Sequence, residues 1–211
     1  MTTDPTANPA RMPILDAIGH TPVVRLTRLV EPGMAEVWIK LESHNPTGSY
    51  KDRMALAMIE GAERSGRLRP GQTVVEYTGG STGSSLAYIC AIKGYPLRIV
   101  SSDAYADEKI RTMRAFGADV ELIPSPEGVT PTLIPRMRAR AAEVAAEVDG
   151  YQTDQFNNRD MVDGYLALGN ELADALDDRL DTWTNYVGTG GCFLGVTSAL
   201  RARIPALERV V

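Results

Sequence analysis

The chain is poor in the residues that build disulfide frameworks and metal centres. It has two cysteines, Cys90 and Cys192, and two histidines, His20 and His44, in 211 residues. Two cysteines in apolar surroundings cannot staple a small secreted domain, and they point to a reducing compartment. The histidines and cysteines show no metal-ligand spacing, and no Ser-His-Asp arrangement suggests itself. An excess of positive charge is lacking too. The formal net charge is −5, so a role on nucleic acid has no electrostatic support. The one basic cluster, Arg136, Arg138 and Arg140, is followed by Glu143 and Glu147 and reads as the solvated face of a helix. No uninterrupted apolar run reaches the roughly 20 residues that cross a bilayer. The first twelve residues lack both the basic end and the apolar core of a secretion signal. A cytoplasmic protein, bound to neither membrane nor nucleic acid, is the expectation.

What is present is ordinary globular material. Hydrophobic residues make up 44% and charged residues 23%, and the length suits one large domain or two small ones. Residues 1–12 read as a disordered leader. Strands are expected at 23–26, 37–41, 73–77, 96–101, 120–123 and 183–187. Helices are expected at 51–64, 84–91, 108–116, 132–148, 164–175 and 193–203. Strands alternating with helices predict an α/β fold with a largely parallel sheet covered on both faces. The last residues, 205–211, begin what reads as one more buried strand. No internal repeat or low-complexity segment is found.

The segment Asn45-Pro46-Thr47-Gly48-Ser49-Tyr50-Lys51-Asp52-Arg53 joins an expected strand to an expected helix. Pro46, Gly48 and Ser49 are turn and helix-start residues, so Lys51 falls in the first helical turn. A helix N-terminus favours negative charge, so the local field lowers this lysine's pKa and helps make its amine nucleophilic. On these residues alone, the plainer reading is a solvated lysine opening a surface helix. Asp52 and Arg53 read as helix-start and salt-bridge residues, not as acid–base catalysts.

Two glycine-rich loops share a strand–loop–helix setting. In Gly188-Thr189-Gly190-Gly191-Cys192, backbone N–H groups can converge at a helix start and cradle a phosphate. No Gly-Lys-Ser/Thr follows, so it is no Walker A loop, and Phe193 breaks the dinucleotide fingerprint. A tight turn that merely packs helix on strand is the other reading. The second loop, Thr78-Gly79-Gly80-Ser81-Thr82-Gly83, offers hydroxyls and N–H groups that suit a carboxylate, or serve as a plain helix start.

The 45–53 segment closely resembles the Schiff-base lysine motif of the fold-type II pyridoxal phosphate enzymes, in the cysteine synthase and cystathionine β-synthase branch. Ile18-Gly19-His20-Thr21-Pro22-Val23-Val24-Arg25-Leu26 and Ile39-Lys40-Leu41-Glu42 resemble other signatures of that group. The likeness covers nearly the whole chain after the leader. It implies pyridoxal 5'-phosphate as cofactor and Lys51 as the residue that holds it. Gly188, Thr189, Gly190, Gly191 and Cys192 then hold its phosphate, with Cys192 where the family has threonine. Thr78, Gly79, Ser81 and Thr82 match the family's substrate-carboxylate loop, Thr-Ser-Gly-Asn-Thr-Gly. Gly79 replaces its serine, and Ser81 replaces an asparagine that also touches the cofactor's ring hydroxyl. Gln155, in Gln155-Phe156-Asn157-Asn158, is implied to help hold the carboxylate.

The resemblance implies the tryptophan synthase β-like architecture, with two parallel-sheet α/β domains, the second incomplete because relatives continue past Val211. Its expected division is residues 13–45 as strands packing on the cofactor domain, 46–158 as a small substrate-loop domain, and 159–211 as the start of the cofactor domain. The implied reaction is β-replacement on O-acetylserine, or a related β-substituted alanine, by sulfide or a thiol to form cysteine. A homodimer is implied as well. A serine/threonine dehydratase or other β-elimination on the same fold, and a non-catalytic binding protein of shortened length, are the alternatives.

Overall fold

The computed structural model describes residues 12–210, so the expected leader lies, Met12 apart, outside the described residues. The order is β1 (Val23–Arg25), β2 (Trp38–Lys40), α1 (Lys51–Arg64), β3 (Val74–Tyr77), α2 (Ser81–Lys93), β4 (Leu97–Ser102), α3 (Asp107–Ala115) and β5 (Asp119–Ile123). It continues with α4 (Leu133–Glu147), β6 (Tyr151–Gln152), α5 (Asp160–Ala175), β7 (Thr182–Thr184), α6 (Gly191–Arg203) and β8 (Glu208–Val210).

The central sheet has strand order β5-β4-β3-β6 and is parallel throughout. Successive side chains of a strand point to opposite faces. Val74 and Ile99 therefore join one buried cluster with Met54, Met58, Leu86, Ile89 and Met113 of the helices. Val75 and Val100 join another with Leu133, Met137, Ala141 and Val144 of α4. With helices on both faces, β3 is buried at every position, which is why it reads as an unbroken run and not as alternation.

Two departures refine the expected sheet. β1 and β2 form a separate antiparallel pair, with Val24 opposite Ile39. β7 and β8 form a third, parallel pair, with Thr182 opposite Glu208. The two-residue β6 was not expected, because two residues carry no periodicity. Likewise α2 starts at Ser81 and α5 at Asp160, where polar first turns hid the helical pattern.

Helix α1 is clamped from below. The Arg53 guanidinium donates from Nε and Nη2 to Glu42 at 2.8 and 2.9 Å, and from Nη1 and Nη2 to Glu171 of α5 at 2.7 and 2.8 Å. Lys40 of β2 and the His20 N–H donate to the same Glu171 carboxylate at 2.6 and 3.1 Å. Burial works to raise the Glu171 pKa, but the Arg53, Lys40 and His20 donors win and hold it at about 2. Such a set, once buried, tolerates loss of no member, because each leaves a charge unpaired.

Helices α1 and α5 meet closely at Gly164. A Cβ built there lies 2.3 Å from the Arg53 carbonyl oxygen, and backbone cannot step aside as a side-chain tip can. Gly164→Ala is expected to cost about 1–3 kcal/mol through overpacking, read as a lower urea midpoint with an unchanged slope.

Candidate active site

Each polar group in the turn before α1 has a local task. Asn45 accepts from the Gly19 N–H at 2.8 Å and donates to the Glu42 carbonyl at 2.9 Å. The Asp52 carboxylate takes the Thr47 N–H at 2.8 Å and the Thr47 hydroxyl as well. Asp52 is thus the helix-start residue, and Arg53 the ion-pair residue, that their sequence positions indicate. Lys51, directly before them, opens the first turn of α1.

Lys51 differs from the other three lysines of the chain. Lys40 is paired with Glu171, Lys93 with Glu63 and Lys109 with Glu108. Among the described residues, the Lys51 amine has no carboxylate partner; it lies 4.6 Å from the centroid of the Tyr50 ring. Partial burial lowers its pKa, with the Cys192 thiol acting in the opposite direction. A lysine short of solvent and without an anion holds its proton less tightly, which is the condition for nucleophilic use.

The Cys192 environment shows what stands beside this amine. Burial pushes the Cys192 thiol up to about 11, with Lys51 pulling it down. The two groups therefore sit within each other's field. The loop 188–191 turns there through Gly190, whose φ of +84° suits glycine. A Cβ at Gly191 would lie 2.7 Å from the Met161 sulfur, so the loop presses flat against α5. The first N–H groups of α6 have no acceptor within the helix. Asn185 donates to the Cys192 sulfur at 3.2 Å, and Tyr50 and Tyr186 share a hydroxyl hydrogen bond of 2.8 Å. Next to them, a cleft of about 320 Å³ runs between Lys40, Tyr50, Trp183, Tyr186 and Cys192.

Helix α2 also meets the turn before α1, where the Thr47 and Ser85 hydroxyls lie 3.3 Å apart. Thr78 Oγ1 accepts from the Gly80 N–H at 3.2 Å. Thr82 and Gln155, 73 residues apart, are brought together: the Thr82 hydroxyl donates to Gln155 Oε1 at 2.7 Å. Gln155 Nε2 donates to the Tyr77 carbonyl at 3.0 Å, which fixes which end of the amide faces Thr82. Its backbone N–H donates to Glu76 at 3.0 Å. Glu76 is fully buried, and it also accepts from the Thr153 hydroxyl and the Tyr77 N–H at 2.7 and 2.8 Å. Burial pushes its pKa up to about 7 against those bonds. Ser81 opens α2, behind Gly80 as its N-cap. Glu76, Tyr50, Tyr186 and Asn185 were not singled out from sequence. Only Glu76 carried a signal, as an acid inside an otherwise apolar strand.

The sequence profile of pyridoxal-phosphate dependent enzymes matches residues 14–211. The chain belongs to the pyridoxal-phosphate dependent enzymes. It is 38% identical over 199 residues to a cysteine synthase of Staphylococcus aureus, covering 93% of this chain and 63% of that protein. The crystal structure of an O-ureido-L-serine synthase superposes with a TM-score of 0.85 at 35% identity, over 93% of this chain and 61% of that one. An O-acetylserine dependent cystathionine β-synthase from Helicobacter pylori gives 0.84 at 32%, over 93% and 64%. The chain thus spans about three fifths of the length of these pyridoxal-phosphate enzymes, and its fold is of the fold-type II class. The family's cofactor is an aldehyde carrying a phosphate. An unpaired, partly desolvated lysine beside a flat glycine loop at a helix start fits both groups.

Incubating the chain with pyridoxal phosphate, reducing with borohydride and mapping the peptides is expected to place the phosphopyridoxyl group on Lys51. Label on Lys40, Lys93 or Lys109 instead would refute the assignment.

Proposed function

We propose that the chain carries the lysine, phosphate loop and carboxylate loop of a cysteine synthase-like enzyme. Its reaction is β-replacement on O-acetylserine, or a related β-substituted alanine, by sulfide or a thiol. The observation that supports this best is Lys51 at the start of α1, with α2 joined to the turn before it through Ser85 and Thr47 and Cys192 of α6 near enough to act on its charge. Lys51 and the backbone of residues 188–191 hold pyridoxal phosphate, with Thr189 and Cys192 flanking that backbone and Ser81 toward the ring. When bound, the cofactor's pyridine ring stores the electron pair released at the substrate's α-carbon.

The chain's own residues do the rest. The N–H groups and hydroxyls of Thr78, Gly79, Ser81 and Thr82 take the substrate's α-carboxylate, and Gln155 fixes Thr82 beneath it. The Lys51 amine, Nζ, accepts the α-proton, a task its lowered pKa suits. The acetate then departs with the C–O electrons, the sulfur nucleophile forms the new C–S bond, and Lys51 returns the proton to the α-carbon. Loop 78–83 excludes water, which would otherwise divert the substrate to a keto acid and ammonia.

Residues 46–158 form the substrate-loop domain, and the central sheet lies wholly within them. Residues 13–45 and 159–211 belong to the cofactor domain. This is supported by the clefts at which β2 faces Trp183 and Thr184 of β7. By resemblance, the protein works as a cytoplasmic homodimer.

The test is to supply O-acetylserine with sulfide and identify the product. Cysteine supports the proposal. A keto acid with ammonia points to elimination, and no product without cofactor absorbance to a binding protein. Thr82→Ala leaves Gln155 Oε1 without its donor in a buried place. It is expected to weaken amino-acid binding by roughly 1–3 kcal/mol, with cofactor affinity changed far less. Parallel loss of cofactor would show that the two loops have been assigned the wrong way round.

A further inference from the structure

Gly79 is the residue where the resembled carboxylate loop carries serine, and its surroundings are unusual. A Cβ built on Gly79 would lie 2.3 Å from Cε1 of Tyr105 and 2.5 Å from its Cδ1 and Cζ. Real Cβ atoms do not approach a ring so closely, so any side chain at 79 and the Tyr105 ring exclude each other. It is an edge of the ring that takes the space, and that edge runs up to Cζ, the carbon that carries the hydroxyl.

Tyr105 is held there firmly. It lies between β4 and α3, in a turn where its N–H donates to the Ser102 carbonyl at 3.3 Å. The preceding Asp103 accepts from the Ser125 N–H at 2.7 Å, which ties the turn to the segment after β5. The ring packs against the buried cluster to which Val75, Tyr77 and Val100 belong. Among the described residues, no group bonds the Tyr105 hydroxyl, and it is not one of the buried, unpartnered atoms, as the Tyr165 hydroxyl is, so it stays open to solvent or a ligand. Burial raises its pKa, so it stays a neutral donor at physiological pH. A half-buried donor without a partner, set against an anion-binding loop, is placed to serve a ligand.

We propose that Tyr105 is a substrate-binding residue of the 78–83 loop. Its ring fills the place of a side chain at position 79. Its hydroxyl supplies the donor that a serine there would give to the substrate's α-carboxylate. The inference rests on the reading of this loop given under Proposed function. It adds a residue from a different segment, and it accounts for the loss of the serine.

The test uses the full chain loaded with pyridoxal phosphate and titrated calorimetrically with L-alanine, which has the carboxylate but no leaving group. Tyr105→Phe keeps the ring and removes only the donor. It is expected to weaken L-alanine binding about tenfold, with cofactor affinity and melting temperature unchanged. Tyr105→Ala opens the space, and the double variant Gly79→Ser/Tyr105→Ala puts a hydroxyl back from the other side. The double variant is expected to recover most of the binding that Tyr105→Ala loses, a rescue that a purely structural role would not give. Tyr105→Phe binding L-alanine as tightly as the parent would overturn the proposal. So would a double variant no better than Tyr105→Ala. Thr82→Ala separates the two levels. If it weakens L-alanine binding while Tyr105→Phe does not, only the role of Tyr105 fails. If neither has an effect, the loop itself has been misassigned.

Discussion

The clamp on Arg53 is the interaction on which the rest of the molecule depends. Its side chain is 3% exposed, and its five N–H donors suit two carboxylates at once. Glu42 and Glu171 take both faces of the fork, and Lys40 and the His20 N–H complete Glu171. One guanidinium therefore ties the β1–β2 pair, the turn before α1, α1 itself and α5. These parts lie far apart in sequence, and few apolar contacts could fix their relative angle as tightly as paired, planar hydrogen bonds. Net stability is not the point of such a cluster, because desolvation offsets most of the attraction. Its value is positional: Lys51 is two residues away on the same helix.

That position explains the electrostatics. Strands β3 and β7 run into helices α2 and α6 through short glycine-rich loops, and α1 starts beside both. Helix N-termini carry partial positive charge and free N–H groups. Gathering them in one place suits anions and discourages an ammonium ion. Among the described residues, Lys51 is the one lysine without a carboxylate partner, and partial burial adds to the effect. On the proposed function, holding anions and keeping one amine ready to lose its proton are two results of a single arrangement.

Much of this was legible in the sequence, and the remainder has physical reasons. Helix α1 and its first residue could be placed from Pro46, Gly48 and Ser49, since turn chemistry is local. The parallel sheet could be expected from alternation of strands and helices, since long apolar elements carry strong periodicity. The antiparallel β1–β2 pair and the two-residue β6 could not, because short strands take their pairing from tertiary contacts. In the candidate site, Lys51 and both loops stood out through their resemblance to family motifs; their residue types alone also fit a solvated lysine and plain helix starts. The pairing of Thr82 with Gln155 was hidden by 73 residues of intervening chain. Glu76 looked like one acid among many until its burial made it the anchor for the Gln155 backbone.

The positions at which this chain departs from its relatives' motifs belong to the loops, not to the frame. Gly79, Ser81 and Cys192 all lie within the first turn, or just before it, of α2 or α6. The clamp, the buried Glu76 and the Gly164 contact lie beneath them and tolerate little change, because each involves backbone or a buried charge. A loop residue facing a ligand is freer. Its substitution alters what is bound without disturbing packing, provided a neighbour can fill the space. Gly79 and Tyr105 show how that condition is met here: the side chain lost from the loop is replaced by a ring from the next βα turn. Changes of this kind move recognition from one segment to another while the sheet, the clamp and the lysine stay where they are.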